Sequence, residues 1–310
     1  MFLSRCSLLL FVCWAACAQV RNYTPVELPK LEKFDVSLID KSKNACTDFF
    51  QYACSKWIDA HPIPADMPAT SVLLPLFLYN QTILRNAMEQ AAADARAAGS
   101  QRQIGDFWTS CMDESGRDAH GKEWLRPHIA VIDKMKSKRE LSQVLSYLHT
   151  NFRGAWEADD NSTKAPGFGF GPVQDLENSS QMVAEIDQGG MALPALNYYL
   201  EAGQRFQDLR AQYVQHIQRM LELAGEPAAD AAAAARTVME METEFARSAM
   251  DNVTRRDPVK IYNKRTLAQL NTAAPDFDWA GYLKRVGAPA VPFYIVTSPR
   301  FLEAFEAQIN

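Results

Sequence analysis

The sequence predicts a mainly α-helical fold, because apolar residues recur at helical spacing through much of its 310 residues. The clearest stripe lies at 46–57, where apolar side chains occur at i, i+3, i+4, i+7, i+8 and i+11. A second stripe covers 206–221 and ends at Gly225, and an alanine-rich helix is predicted over 228–250. These last two helices are expected to be antiparallel neighbours, because a short connection joins them.

The first predicted helix carries two cysteines on one face. Asn44 is a favourable N-cap, and the helix is expected to end before Pro62 and Pro64. Cys46 and Cys54 would then lie about 12 Å apart along the helix axis. A disulfide requires Cα atoms within roughly 7 Å, so these two cysteines are expected not to pair with each other.

Further helices follow from apolar spacing and end signals. One is predicted over 80–98 and ended by Gly99 at its C′ position. Ser137 and Glu140 have the spacing of a capping box for the helix that contains 141–148. Both segments are expected to bury one apolar face.

The middle and the end of the chain are less regular. Residues 151–200 predict loops with at most a short strand, and PGFGFGP at 166–172 is interpreted as a glycine turn. A last helix is predicted to begin at Ser298 and Pro299. Its roughly eleven residues are expected to need a packing partner, because short isolated helices are marginal. The chain is therefore interpreted as cut inside this helix.

The first 18 residues predict a secretory signal peptide. A positive charge precedes an apolar run at 8–14, and a small-x-small site at 16–18 places the mature start at Gln19. Lipid attachment at Cys17 is the alternative interpretation. The product is accordingly expected to be secreted or periplasmic, or lipid-anchored in the alternative.

Charge and hydropathy exclude two classes of protein. The net charge of -5 becomes -6 once the single arginine of the signal is removed, which is not the charge of a nucleic-acid-binding chain. After the signal, no apolar stretch reaches the roughly 18 residues that span a bilayer. Residues 19–43 are interpreted as an extended arm before a helical domain at 44–310. The basic cluster at 134–139 is interpreted as a solvated helix start, and 255–257 as a helix–loop junction.

Four segments together resemble the neprilysin-like zinc endopeptidases, the M13 peptidase family. They are CTDFFQYACSKW with PIPAD at 46–66, FWTSCMDE at 107–114, DQGGMALPALNYYL at 187–200, and RRDPVKIYNKRTLAQL at 255–270. The resemblance implies a helical lid domain from the amino-terminal half of such a peptidase, truncated before the zinc-binding catalytic domain.

The resemblance also implies which chemistry this chain lacks. Zinc peptidases of this kind use HExxH, in which two histidines hold the metal and the glutamate activates water, and the motif does not occur here. No catalytic residue, metal ligand or cofactor is therefore predicted in this chain, and zinc is expected in the missing catalytic domain. An arginine and an aspartate that contact substrate in the family align without gaps with Ala69 and Leu74, so no substrate-binding residue is predicted.

Three cysteines remain after signal removal. The resemblance implies that Cys46, Cys54 and Cys111 form disulfides with partners outside this chain. The expected function is that of the substrate-restricting domain of a secreted metalloendopeptidase, inactive alone, with the zinc-binding half and peptide substrates as partners. The alternative is a free-standing secreted binding module derived from the same family.

Overall fold

The computed structural model describes residues 23–31, 33, 35–64, 67, 69–152 and 165–309. The predicted signal peptide 1–18, its cleavage site and Cys17 lie outside the described residues. In the described part of the chain there are twelve α-helices and four short strands, so the mainly α prediction is confirmed. The chain divides into two compact units, residues 1–120 and 121–310.

The described part of the first unit contains three complete helices and a single 3-10 turn at Val36–Leu38. The helices are α1 (Phe49–Ala60), α2 (Leu74–Ala93) and α3 (Gly99–Cys111), and the division between the units falls within α4 (Glu114–Asp133). Helices α2 and α3 touch at Gly105, where an added Cβ would lie 2.6 Å from the Ala91 carbonyl oxygen. Only glycine permits this close approach.

The predicted start of the first helix was wrong. Asp48 is the N-cap, with its side chain accepting a hydrogen bond from the Gln51 amide at 2.9 Å. Asn44 instead closes a turn, because its side chain accepts from the Cys46 amide at 2.9 Å. Asx residues favour turns as readily as N-caps, so the sequence offered two valid starts. Cys46 therefore precedes the helix, and the 12 Å argument against a Cys46–Cys54 bond loses its premise.

The bounds predicted for the second helix were also wrong. Helix α2 begins at Leu74, where Pro75 takes the first turn, as proline does readily. It ends at Ala93, because the Asp94 carboxylate accepts a hydrogen bond from the Arg96 amide at 2.8 Å and so forms a turn. Gly99 is the first residue of α3 and not the end of α2.

The second unit combines helices with a four-stranded sheet. Its remaining elements are α5 (Leu141–Asn151), β1 (Phe168–Gln174), β2 (Met182–Gln188), α6 (Leu196–Leu200), α7 (Gln204–Ala224), α8 (Ala228–Ser248), α9 (Pro258–Ile261), β3 (Lys264–Arg265), α10 (Leu267–Ala273), α11 (Trp279–Arg285), β4 (Tyr294–Val296) and α12 (Pro299–Ile309). The strand order is β1-β2-β4-β3, with β2 and β4 parallel and the other pairs antiparallel.

Helices α7 and α8 confirm the predicted helical pair. Gly225 ends α7 in the left-handed conformation at φ 117°, and Pro227 precedes α8. The glycine-turn prediction at 166–172 was wrong in most of its length, because Phe168 to Pro172 form part of β1. Its alternating Phe and Gly place both rings on one face of the strand, which is the period of a β-strand.

Two other predictions need correction. The side chain of Ser137 makes no capping bond, and Glu140 accepts a hydrogen bond from the Lys136 amide at 2.8 Å instead. The last helix does have a packing partner within the chain, because Phe301 and Phe305 of α12 are buried in the core of the second unit.

The core of the second unit is aromatic. Phe168 lies at its centre, and the rings of four Phe, Trp and Tyr residues surround it with centroids 5.2 to 5.6 Å away: Phe277, Trp279, Tyr282 and Phe305. Such edge-on and tilted contacts are favoured by the ring quadrupoles. These residues come from β1, the α10–α11 region and α12, so the core ties together distant parts of the sequence.

Candidate functional site

The first unit has a mostly apolar groove of about 600 Å³ between the amino-terminal arm, α1 and the start of α2. Its apolar lining includes Leu38, Trp57, Leu73 and Leu76, and the half-buried Cys54 lies in its wall. Trp57 is held by stacking on His61, with ring centroids 4.4 Å apart. The groove therefore places a thiol in the wall of a mostly apolar surface.

The three cysteines predicted to form disulfides are free thiols in the structure. Cys46 and Cys111 are exposed, whereas Cys54 is half-buried. Cys46 lies in the turn before α1, and Cys111 is the last residue of α3. Their predicted partners outside this chain stay a prediction.

Apolar side chains on α1 and α3 are unusually exposed. Phe49 and Phe107 are 69% and 67% exposed, and Phe50 and Leu84 are exposed to a similar degree. Contiguous exposed apolar surface on a protein typically marks an interaction site. We call these side chains of α1, α2 and α3 the apolar faces of the first unit.

The two positions aligned with the family's substrate contacts lie near the start of α2. Ala69 is exposed in the segment before the helix, and Leu74 is its first residue. Neither side chain can form a hydrogen bond or an ion pair. That neither position supplies a substrate contact stays a prediction.

In the second unit, an ion pair joins the loop that contains Arg255 to strand β2. Arg255 donates two parallel hydrogen bonds to Asp187, from Nη1 to Oδ1 at 2.8 Å and from Nη2 to Oδ2 at 2.7 Å. Thr297 also donates to Asp187 through its hydroxyl. Burial, followed by the charge of Asp187, raises the pKa of the nearby Glu185 to about 7. The prediction that 255–257 fix a junction fits this contact, because Arg255 holds its loop to the sheet.

A second buried carboxylate connects three helices. Glu242 of α8 accepts hydrogen bonds from the hydroxyls of Tyr199 (2.6 Å) and Tyr213 (2.9 Å), which belong to α6 and α7. Burial raises the pKa of Glu242, while the tyrosine hydrogen bonds oppose that shift. A carboxylate with every donor supplied by fixed structural elements is typical of a packing role.

One buried histidine is fixed as a neutral group. His149 lies within hydrogen-bonding distance of the Pro166 carbonyl oxygen through Nε2 and of the Tyr282 hydroxyl through Nδ1. Since a carbonyl can only accept, Nε2 carries the proton. Burial lowers the pKa of His149, which keeps the ring uncharged. It lines a mostly apolar cavity of about 380 Å³ beside β1 and β2.

No part of the described chain brings together a metal-binding set. Among the described residues there is no group of three His, Cys, Asp or Glu side chains placed to hold a metal ion. The buried carboxylates Glu242 and Asp187 are instead committed to tyrosine, threonine and arginine. These described residues therefore offer no set of side chains that fits a zinc site.

The chain is similar to proteins of one family. The amino-terminal model of peptidase family M13 matches residues 45–310, which is most of the chain. This chain belongs to peptidase family M13. Endothelin-converting enzyme 1 of Bos taurus is 26% identical over 265 residues, covering 82% of this chain and 33% of that relative. The human enzyme is 25% identical over 291 residues.

Solved structures of M13 proteins share this fold. The Mycobacterium tuberculosis zinc metalloprotease ZMP1, solved with an inhibitor, has a TM-score of 0.69 and 29% identity, covering 89% of this chain and 40% of that one. PEPO of Lactobacillus rhamnosis has a TM-score of 0.60 at 15% identity, which shows the fold alone. This M13 chain spans about a third of the curated relatives. In the described residues, no helix is long and apolar enough to cross a membrane.

Sequence reasoning missed the buried ion clusters of this M13 domain. Asp187 and Arg255 both lie in the matched segments 187–200 and 255–270, and their opposite charges were the available signal. Glu242 lies in a helix whose polar positions gave no such cue. A buried acid is identified by its partners, and those partners are distant in sequence.

Proposed function

We propose that this chain is the amino-terminal, substrate-restricting domain of an exported zinc metalloendopeptidase and that it is inactive by itself. One observation carries the proposal: residues 45–310 match the amino-terminal model of peptidase family M13, while the 310 residues contain no HExxH. The chain has the family's helical part and lacks the family's metal-binding sequence.

The proposed inactivity follows from the side chains that are available to bind zinc. Peptide hydrolysis at zinc needs ligands that fix the ion and a carboxylate that activates water. The chain's five histidines include no pair at i, i+3 or i, i+4, and the described part of the chain contains no three-residue ligand cluster. No step of hydrolysis is therefore assigned to a residue of this chain.

The proposed role is steric. A helical wall that closes a chamber around a catalytic centre admits peptides of limited size and needs no reactive side chain of its own. The names of the relatives, endothelin-converting enzyme 1 and zinc metalloprotease, support peptides as the substrate class. The partners are then the zinc-binding half and the peptide, with no nucleic acid.

The cysteines and the apolar faces support the partnership. Phe49 and Phe107 are exposed beside the free thiols of Cys46 and Cys111. In the proposed whole protein, the zinc-binding half covers these side chains and supplies the disulfide partners of Cys46, Cys54 and Cys111. Oxidation of these thiols requires an oxidising compartment, which agrees with the signal predicted at 1–18.

Reading the coding sequence beyond codon 310 and assaying the purified chain test the proposal together. An in-frame HExxH downstream and a chain that neither retains zinc nor cleaves peptides are the expected results. One tightly held zinc per chain, with cleavage lost on chelation, would contradict the proposal. A stop codon at position 311 would favour the free-standing secreted binding module instead.

The place of export is tested separately. Secreted or periplasmic material is expected to start at Gln19, which intact-mass measurement detects. A mass that includes a lipid on Cys17 would select the lipid-anchored alternative. Retention of residues 1–18 without lipid would contradict both.

A further inference from the structure

One edge of the sheet in the second unit has no partner strand among the described residues. Strand β1 stands at the end of the order β1-β2-β4-β3, so only one of its two sides is paired. At the other end of the sheet, β3 has two residues, whereas β1 has seven. An edge strand presents a row of unpaired amide and carbonyl groups, which is a template for another extended segment. Strand β1 is the edge long enough to serve as one.

The register shows which backbone groups of β1 point away from β2. The Asp175 amide donates to the Gln181 carbonyl at 3.0 Å, and these two residues continue the register of the β1–β2 pair. In an antiparallel pair, hydrogen-bonded positions alternate with positions that face the other way. Three even-numbered residues therefore direct their backbone groups away from β2: Phe170, Pro172 and Gln174.

These outward groups are not used within the described part of the chain. The amides and carbonyls of Phe170 and Gln174, and the carbonyl of Pro172, form no hydrogen bond with a described residue. Pro172 has no amide hydrogen, and proline in a sheet is confined to such edges and to bulges. Donors and acceptors thus face outward along 170–174 at every second residue, which is the spacing of an extended peptide backbone.

The mostly apolar cavity of about 380 Å³ lies beside this edge. Phe170 and Pro172 of β1 line it, together with residues of the 286–291 loop. Two of its lining residues, Phe170 and Ala184, also pack against the aromatic core, so the cavity lies on the core side of the sheet. A strand added beside β1 would direct every second side chain to that side.

The cavity has no charged group among the described residues that line it. Burial lowers the pKa of His149 and keeps its ring neutral, and both ring nitrogens lie close to hydrogen-bond partners. A charged side chain that entered the cavity would lose its hydration without gaining an ion-pair partner. The lining therefore favours an uncharged, apolar side chain.

We propose that the outer edge of β1 and this cavity together form a binding site for an extended peptide that carries an apolar side chain. The peptide backbone pairs with β1 as an additional strand, and one of its side chains enters the cavity. Main-chain hydrogen bonds supply affinity and the cavity supplies selectivity, as in other sites that extend a sheet. A second copy of β1 is a poorer occupant, because its own proline brings a position without a donor into the ladder.

Fluorescence anisotropy with the purified chain tests the cavity. The probe is fluorescein-Ser-Thr-Thr-Phe-Thr-Thr-Ser-amide, and two control peptides replace its phenylalanine by alanine or by lysine. The phenylalanine peptide is expected to bind about tenfold more tightly than the alanine peptide, because the cavity removes its ring from water. The lysine peptide is expected to bind no better than the alanine peptide. Equal binding of all three peptides would overturn the proposal.

A pair of variants tests the edge. Gln174→Pro removes an outward amide and leaves the hydrogen bonds to β2 in place, so peptide binding is expected to weaken about fivefold. Gln174→Ala is the matched control and is expected to bind like the wild type, because both variants lose the side-chain hydrogen bond from Gln174 to the Ser179 carbonyl at 2.8 Å. Circular dichroism and urea unfolding check that both are folded. Equal affinities of the two folded variants would show that the edge is not used, which contradicts the proposal.

A third variant is expected to gain affinity, which a loss of folding cannot imitate. Pro172→Val supplies the amide that the edge lacks and keeps an apolar group beside the cavity, so binding of the phenylalanine peptide should tighten several-fold. Light scattering on the same samples detects self-association. A wild-type dimer that Gln174→Pro disperses would identify a second copy as the occupant, and the peptide proposal would then be wrong.

The inference goes beyond the proposed steric role, and its test is independent of that role. The readout is peptide binding by the chain without zinc and without hydrolysis, so it is separate from the zinc and cleavage measurements. A wild-type chain that does not bind the phenylalanine peptide would overturn the inference and leave the proposed function unchanged.

Discussion

The two units of this M13 domain contain helices of similar length but bury them very differently. In the second unit, Phe168, Trp279 and Tyr282 are buried together in one aromatic core. In the first unit, Phe49 and Phe107 are mostly exposed. The second unit therefore has the internal packing of an independent domain, whereas the first has secondary structure with little core of its own.

This difference indicates which unit stabilises the fold and which unit binds a partner. Burial of large side chains supplies most of the free energy of folding, so the second unit is expected to hold the fold. Apolar side chains that stay exposed in the folded chain gain no burial on folding. Only a partner that covers them removes them from water. The apolar faces of the first unit are thus expected to contribute to association and little to the stability of the isolated chain.

The largest expected effect tests this difference with one substitution in each unit. Phe168→Ala should lower the free energy of unfolding by about 4 kcal/mol, because it opens a cavity among four aromatic rings. Phe49→Ala, on the exposed face of α1, should change it by less than about 0.5 kcal/mol. Urea unfolding followed by circular dichroism measures both. Similar losses for the two variants would mean that the first unit also depends on its phenylalanines.

A second comparison concerns ion pairs. Arg255→Met leaves the Asp187 carboxylate buried without its cation and should cost about 3 kcal/mol of unfolding free energy. Arg102→Met breaks an exposed pair with Asp106 in the first unit and should leave stability unchanged within error. Urea titrations at neutral pH measure the two values. A small effect at Arg255 would show that water reaches Asp187 and replaces its partner.

A smaller effect depends on pH. The pKa of Glu185 is raised to about 7 in the folded chain, so unfolding releases a proton between the unfolded pKa of 4.5 and about 7. The folded state therefore loses stability as pH rises through this window. Glu185→Gln removes the charge and should stabilise the chain by roughly 1 kcal/mol at pH 8. This value is smaller than the full pKa shift implies, because Glu185 is partly exposed and solvent screens its charge.

The same variant is expected to match the wild type below about pH 4.5, where the wild-type carboxyl is protonated in both states. Unfolding free energies at acidic and at mildly alkaline pH check this sign. A stabilisation of equal size at both pH values would show that the substitution acts through packing and not through ionisation.

The smallest change concerns the thiols and leaves the fold intact. The isolated chain is expected to show at least one titratable thiol or a disulfide-linked dimer, because Cys46 and Cys111 are exposed. Thiol titration under native and denaturing conditions, with intact-mass measurement, resolves these outcomes. A monodisperse monomer without a reactive thiol or a small-molecule adduct would contradict the proposal that the partners of these cysteines lie outside this chain.

Sequence reasoning found helices wherever the pattern was local. The pair α7 and α8 was predicted because apolar spacing, Gly225 and Pro227 agree with one another. It failed where two signals competed, as Asn44 and Asp48 did for the start of α1. It also missed β1, because glycine is common in turns and only pairing with β2 makes the segment a strand.

The candidate interface was predictable in part. The cysteines and the apolar stripe at 46–57 indicated an uncovered face, and the exposure of Phe49 agrees. The groove beside Cys54 was not predictable, since the amino-terminal arm supplies one of its walls. Contacts between segments distant in sequence leave no local pattern, which is also why Asp187–Arg255 was found only in the structure.

The central claim is that a zinc-binding half covers the apolar faces of the first unit. Hydroxyl-radical footprinting tests it by comparing the chain alone with the chain co-expressed with the zinc-binding half that the proposed function expects downstream. The account predicts strong protection of Phe49 and Phe107 on assembly, with the buried Phe168 unreactive in both samples. Equal oxidation of Phe49 and Phe107 with and without that half would contradict it.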